Sequence, residues 1–404
     1  MQPETRDLTL GFIPLIDAAP LAVAREQGFF ETEGLNVRLS REASWANIRD
    51  KLCVGSLHGA HMLAPMSLAI SLGLNGIRTP LVSSFSLSLN GNAITISNSL
   101  REQLKNLNPE ALASAHQSVI SLKQIIDSRR REGQAPLTFA MVYPYSCHNY
   151  LLRYWLAAGG INPDEDVNLV VIPPPQMVSQ LAAGRIDGLC VGEPWNQVAA
   201  ARGYGTILLK GYQIWQNAPE KVLALRADWA QEHPHTHQAL LRALLAASRW
   251  LADDRHRDET VAMLSQPQYL DLPPEPIAAG LKTGGHVFYR YCANFPWRSQ
   301  AIWLLSQMIR WGQIGQTLDP EALAASVYRS DWYREACAAA DIPCPSVDHK
   351  PEGVHVSEWQ LESLTLGPDR FLDGREFDPA KMLDYVADAD IASIHPALEN
   401  TRQQ

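Results

Sequence analysis

Short apolar runs of strand length alternate with amphipathic stretches of helical length through the first two hundred or so residues, and this alternation limits the fold more than any other feature. It implies parallel strands joined by crossover helices. LTLGFIP (8–14) reads as a first strand, PLAVAREQGFF as a helix ending near Gly28, and LNVRLSREA as a second strand. SWANIRDKLCVG reads as a helix that Ser44 caps, and GAHMLAPMSLAISLG as a further strand and helix. SSFSLSLNGNAITIS (83–97) then gives two extended runs around Asn90-Gly91, where the chain is expected to leave one lobe for another.

From about 98 to 219 the same grammar returns. LKQIIDSRRREG is helical, LTFAMVYP a strand, CHNYLLRYWLAAGG a helix, VNLVVIPPP a strand, and QMVSQLAAGRIDGLCVG a further helix and strand. EKVLALRADW (220–229) reads as a strand returning to the first lobe, after which the chain is mostly helical. Leu241, Leu244, Leu245 and Ser248 share one helical face, as do Leu305, Met308 and Ile309, and these helices are expected to cover the first lobe. The reading is therefore an α/β clamshell, with 8–94 plus 220–404 as the first lobe and 95–219 as the second. A ligand belongs between the lobes, where helix N-termini from both sides converge.

Composition narrows the function. With 404 residues, 46% of them hydrophobic, the chain can bury two cores. A net charge of -9 leaves no basic face for phosphates, so direct nucleic-acid binding is disfavoured. The start MQPETRDLTL shows no export signal, and no apolar run is long enough to span a membrane. Six dispersed cysteines form no C-x-x-C pair and are expected to be reduced; Cys147, at a helix start beside His148, is where a thiolate would be stabilised, although structural filler is the expected role.

Four residues are candidate anion ligands. Trp45 opens a helix beside Ser44, so its indole N–H and nearby backbone N–H groups can face one point. His148 begins the second lobe's CHNYLLRYWLAAGG helix, where the helix dipole adds partial positive charge. Asn92 follows the Asn90-Gly91 crossing and carries a side-chain amide, and Lys221 opens the returning strand. Each also has an ordinary reading: core tryptophan, surface histidine, turn residue, solvated lysine beside Glu220. His58 and His61 have i, i+3 spacing but no third ligand nearby, so no metal is expected. His233, His235 and His237 read as surface residues, and Glu193 as a general base without a nucleophile. No catalytic set and no cofactor motif emerges.

GFIPLIDAAPLAVAREQGFF, EASWANIRDKL, GAHMLAPM, RYWLAAGGINP, VVIPPPQMV, CVGEPWN, PEKVLALRADW, IRWGQI and FLDGREFDP occur in order along nearly the whole chain. The series resembles the nitrate- and bicarbonate-binding proteins of the NrtA and CmpA type. That resemblance implies a type II periplasmic-binding-protein clamshell holding an anion between its lobes. It also implies ligand contacts from the A-S-W tryptophan, a glutamine after N-G, the histidine opening the R-Y-W-L helix and the P-E-K lysine. These positions fall on Trp45, Asn92, His148 and Lys221, Asn92 being a methylene shorter than the family's glutamine.

The bicarbonate binders carry an acidic residue at the Lys221 position. Nitrate has acceptors only and suits N–H donors plus one cation, whereas bicarbonate's O–H needs an acceptor and a metal would need carboxylates. Lys221 thus favours nitrate or nitrite, and is expected to stay solvated until the anion arrives. Most family members carry an export signal and feed a transporter. Signal-less relatives of the NasS type are cytoplasmic sensors that hold an RNA-binding antiterminator of the NasT type. The expectation is a cytoplasmic nitrate/nitrite sensor, not an enzyme, that controls such an antiterminator; the alternative is the nitrate-binding subunit of an ABC transporter. An enzyme resembling the pyrimidine-precursor synthases ranks last, because their cysteine-rich motif is missing.

Overall fold

A computed structural model describes residues 2–74, 76, 78–283 and 285–393. Strands β1 (Asp7–Phe12), β2 (Asn36–Arg41), β3 (Gly59–Leu63), β4 (Leu81–Leu89), β5 (Asn92–Ser97), β6 (Thr138–Met141), β7 (Asn168–Val171), β8 (Gly188–Gly192), β9 (Gly205–Lys210) and β10 (Pro219–Arg226) build two five-stranded sheets. The first runs β2-β1-β3-β10-β4 and the second β7-β6-β8-β5-β9. β1, β2 and β3 are parallel, as are β6, β7 and β8, and helices complete the crossovers. β10 inserts antiparallel between β3 and β4. It is almost wholly buried, which explains why its stretch VLAL (222–225) is apolar without alternation.

The two extended runs around Asn90-Gly91 are not a hairpin. β4 pairs in the first sheet and β5 in the second. Asn90 (φ 62°) and Gly91 (φ 97°) make the bend, and on the return path Asn217 is also left-handed (φ 55°). The two crossings hold each other: Asn90 Nδ2 donates to Asn217 Oδ1 (3.0 Å) and Asn90 N to the Ala218 carbonyl (2.9 Å). His286 lies over the bend so closely that a Cβ on Gly91 would meet its Nε2 at 2.2 Å.

Helix Pro234–Leu251 covers the first sheet as expected, burying Leu241, Leu244, Leu245 and Ser248. Helix Arg298–Arg310 departs from the expectation that the late helices belong to the first lobe. It packs on helix Ala64–Leu72 of the first lobe and also on helix Cys147–Ala158 of the second. Beyond it, the chain straps the lobes together. Leu372 N donates to Ile214 O (2.8 Å) and Tyr154 Oη to Asp373 Oδ1 (2.8 Å), while Trp215 and Trp303 pack with ring centres 4.4 Å apart. Tryptophan and tyrosine serve here because each fills the seam and still offers a polar tip. None of the described helices is long and apolar enough to cross a membrane.

Candidate functional site

The lobes meet where the carboxyl ends of β1 and β8 face one another, the position at which open α/β sheets present their loops to a ligand. Ile16 N donates across the seam to Glu193 O (2.9 Å), Trp195 Nε1 to Pro14 O (3.1 Å), and Arg49 Nη1 to Tyr143 Oη (2.9 Å). Behind these contacts lies a buried polar cluster.

Two helix starts face it. Ser44 caps helix Trp45–Cys53 by accepting from Asn47 N (3.2 Å), and Ser146 caps helix Cys147–Ala158 by accepting from Asn149 N (3.1 Å). Each cap leaves first-turn N–H groups and the positive end of the dipole at the site. Trp45 and His148 occupy these first turns and are 1% and 0% exposed. Among the described residues, the indole Nε1 of Trp45 and both ring nitrogens of His148 make no hydrogen bond. Buried polar atoms without partners cost roughly 1–3 kcal/mol each, and with His148 Nδ1 set 3.4 Å from Glu220 Oε1, Trp45 Nε1 and His148 Nε2 are the atoms left as candidate ligand contacts.

Lys221 lies at the centre, its ammonium 5.5 Å from the Trp45 ring centre. It is fully buried, contrary to the expectation of a solvated side chain, because two carboxylates compensate it. Nζ donates to Asp17 Oδ2 (2.9 Å) and to Glu220 Oε1. Burial works to deprotonate Lys221, but Asp17 and Glu220 outweigh it and lift the pKa above the usual lysine value. Burial would likewise raise Asp17; Lys221 and His61 overcome that and hold it well below the carboxylate range. For Glu220, burial wins over the pull of Lys221, and its pKa is raised.

His61 completes the arrangement. Its Nδ1 accepts from Ile13 N (3.4 Å) and its Nε2 meets Asp17 Oδ1 at 2.7 Å, which sets the neutral Nε2–H tautomer. Burial keeps it neutral despite Asp17. Burial also pushes His148 well below its ordinary value, with Lys221 adding to the effect. Asn92 is present, but its Nδ2 donates to Glu220 Oε2, so the amide supports the carboxylate and does not aim a free donor into the site. Gly192, at the end of β8, borders the cluster: a Cβ there would meet Leu15 Cδ2 at 3.3 Å and both Asp17 Oδ2 and His148 Nε2 at 3.6 Å.

All four candidate ligands therefore converge, and the sequence reading missed three others: Asp17, His61 and Glu220. A signal for them existed. It was limited to the charges: once Lys221 is known to be buried, its ammonium requires a carboxylate partner. Asp17 follows β1 within GFIPLID, and Glu220 adjoins Lys221. His61 had been read only as half of a metal pair with His58. His58 instead accepts from Thr9 N (3.0 Å), and no metal-binding cluster occurs among the described residues.

Cys147 is buried, and burial with the adjacent Glu220 raises its pKa, so it is core filler, as expected, and not an activated thiolate. Two further expectations need correction. His237 is a core residue, 1% exposed, with its pKa lowered by burial to about 3. The site is not made of donors alone, because Asp17 and Glu220 stand in it; the argument against bicarbonate from missing acceptors fails. Surface cavities of about 700 and 910 Å³ border Lys350 and Arg129, and no residue of this cluster lines them.

Fold and site together define a two-lobed ligand-binding protein of the periplasmic-binding-protein kind, holding a charge-compensated cluster between lobes. A family model described as the NMT1-like family matches residues 1–265. The nitrate/nitrite-binding protein NrtA of Synechococcus elongatus is 35% identical over 411 residues, covering 95% of this chain and 86% of that protein. The crystal structure of the periplasmic nitrate-binding protein NrtA from Synechocystis PCC 6803 superposes with a TM-score of 0.85 at 30% identity, covering 97% of this chain and 100% of that one. The nitrate import ATP-binding protein NrtC of Synechocystis is 41% identical over 366 residues, 86% of this chain; the chain spans only 52% of that relative's length. The chain belongs to the NMT1-like family and, within it, to the nitrate/bicarbonate-binding proteins of the NrtA and CmpA type.

Proposed function

We propose that the chain binds nitrate or nitrite between its lobes, against Trp45, His148, Gly192 and Lys221, and acts as the anion-binding component of a nitrate import system. The observation that carries this reading is the set of unpartnered donors, Trp45 Nε1 and the His148 ring, beside a buried ammonium. Its likeness to NrtA, a nitrate/nitrite-binding protein, and to NrtC, a nitrate import ATP-binding protein, supports both the ligand and the setting. The site binds and does not react: closure around the anion needs no covalent step, only a higher affinity in the closed state.

Calorimetric titration with nitrate, nitrite and bicarbonate tests this reading. Saturable binding of nitrate or nitrite, with bicarbonate weaker, is expected. No binding of either nitrogen oxyanion, or tighter binding of bicarbonate, overturns it.

In a second reading, a cytoplasmic sensor holds an RNA-binding antiterminator of the NasT type and releases it when the anion binds; the net charge of -9 fits a receptor that does not itself touch the RNA. The site is the same; what differs is the partner that reads closure. Affinity purification of the native protein with and without nitrate separates the two. Recovery of transporter subunits supports import, and nitrate-sensitive recovery of an RNA-binding protein supports the sensor.

A further inference from the structure

The buried cluster carries more negative than positive charge before any anion arrives. Asp17 and Glu220 are two carboxylates, Lys221 is one ammonium, and all three are 1% exposed or less. A monoanion placed beside Lys221 would make the imbalance worse, in a setting where unpaired charge is most costly.

We infer that the anion binds together with one proton, drawn from solvent onto the Glu220–His148 pair. This inference rests on the anion-binding reading of the site. The geometry selects the pair. Asp17 is fully engaged, accepting from Lys221 Nζ at 2.9 Å and meeting His61 Nε2 at 2.7 Å. Glu220 Oε1 lies 3.4 Å from His148 Nδ1, and a Cβ on Gly192 would sit 3.6 Å from the opposite ring nitrogen, Nε2. A proton on this pair either neutralises Glu220 or makes His148 an imidazolium that donates to the anion. In both cases the lysine's charge is released from Glu220 for the ligand.

The other titratable groups facing the pair do not offer an equal route. His61, from β3, has both ring nitrogens engaged with Ile13 and Asp17. Cys147, from its helix, and Cys190, from β8, are buried thiols raised by burial and by Glu220, so they stay protonated. His286 lies over the Gly91 bend, and burial lowers its pKa to about 4. Lys221 is already charged. Both Glu220 oxygens accept before the anion arrives, Oε1 from Lys221 and Oε2 from Asn92, so Glu220 stands as a carboxylate there, and burial raises its pKa, which favours its taking up a proton.

The consequence is linkage: each proton taken up on binding weakens affinity by about tenfold per pH unit of rise. The experiment is calorimetry of the full chain with nitrate near neutral pH in Tris and in HEPES, which differ in heat of ionisation. Enthalpies that differ by an amount equal to one proton per anion are expected, with affinity falling as pH rises. Binding with identical enthalpies in both buffers overturns the inference and leaves the anion reading standing; no heat of binding with nitrate or nitrite overturns both. Glu220→Gln supplies the second measurement. It removes the surplus charge and keeps an acceptor, so proton uptake should fall towards zero and the pH dependence should flatten. A folded E220Q protein that still takes up a full proton overturns the assignment to this pair.

Discussion

Replacing Lys221 by methionine keeps most of the stem and removes the charge, and thus tests whether the cluster is held by ion pairing. In the wild-type protein Nζ bridges Asp17 and Glu220, all three groups being inaccessible to water. Without it Asp17 retains only His61, and Glu220 retains Asn92 with His148 nearby. Removing one partner of a buried pair costs about 3–5 kcal/mol, because the remaining charge is left unpaired. The loss should depend on pH with a definite sign. The folded pKa of Lys221 is raised, so its stabilisation is complete below the unfolded lysine value and disappears only as pH rises through the folded one. It is therefore fully present near neutrality. In the variant, Glu220 loses its ammonium neighbour and holds a proton more tightly, so the deficit should shrink as pH falls. Urea denaturation should give a lower midpoint for K221M near neutral pH, and K221M/E220Q should recover roughly 1–3 kcal/mol of that loss. If K221M costs less than about 1 kcal/mol, or if the double variant is no more stable than the single one, the reasoning about charge compensation is wrong.

Three other perturbations address separate parts of the account. Gly192→Ala places a methyl group 3.6 Å from Asp17 Oδ2 and His148 Nε2, so calorimetry should detect no nitrate binding while the protein remains folded. Trp45→Phe removes an unpartnered donor; nitrate affinity should fall by about 1.5–3 kcal/mol, with ligand-free stability in urea unchanged or higher. His237 is neutral in the core and is protonated in the unfolded chain below its ordinary value of 6.5, so it lowers stability as pH falls from 6.5 towards about 3. In His237→Asn the pH slope over that window should be flatter than wild type by about 1.4 kcal/mol per unit, read from urea midpoints at several pH values.

Much of the fold could be read from the chain because strands buried on both faces are continuous apolar runs and the crossovers carry their own caps. Ser44 and the Gly159-Gly160 stop are local signals, and helices begin and end there. Asn90-Gly91 was ambiguous for a physical reason: left-handed residues serve a hairpin and an interlobe bend equally well, and only sheet pairing separates them. The straddling position of helix Arg298–Arg310 could not be foreseen, since an apolar face does not say which lobe covers it. At the candidate site, the sequence pointed to Trp45, His148 and Lys221 by type and position, and they lie in one buried cluster. Asp17 and His61 were not legible, because they join the cluster through contacts 44 residues apart or, for Asp17 with Lys221, 204 residues apart. Burial of Lys221 follows from those distant contacts, which is why a solvated lysine was the natural expectation.

The central claim is that an oxyanion takes the unpartnered Trp45 indole as a donor. Proton–nitrogen correlation spectra of the uniformly labelled protein resolve the indole N–H groups of its eleven tryptophans, and W45F identifies the one belonging to Trp45. Titration with nitrate should shift that resonance saturably, with the same dissociation constant that calorimetry gives. A Trp45 indole that does not move while calorimetry reports nitrate bound would contradict the account.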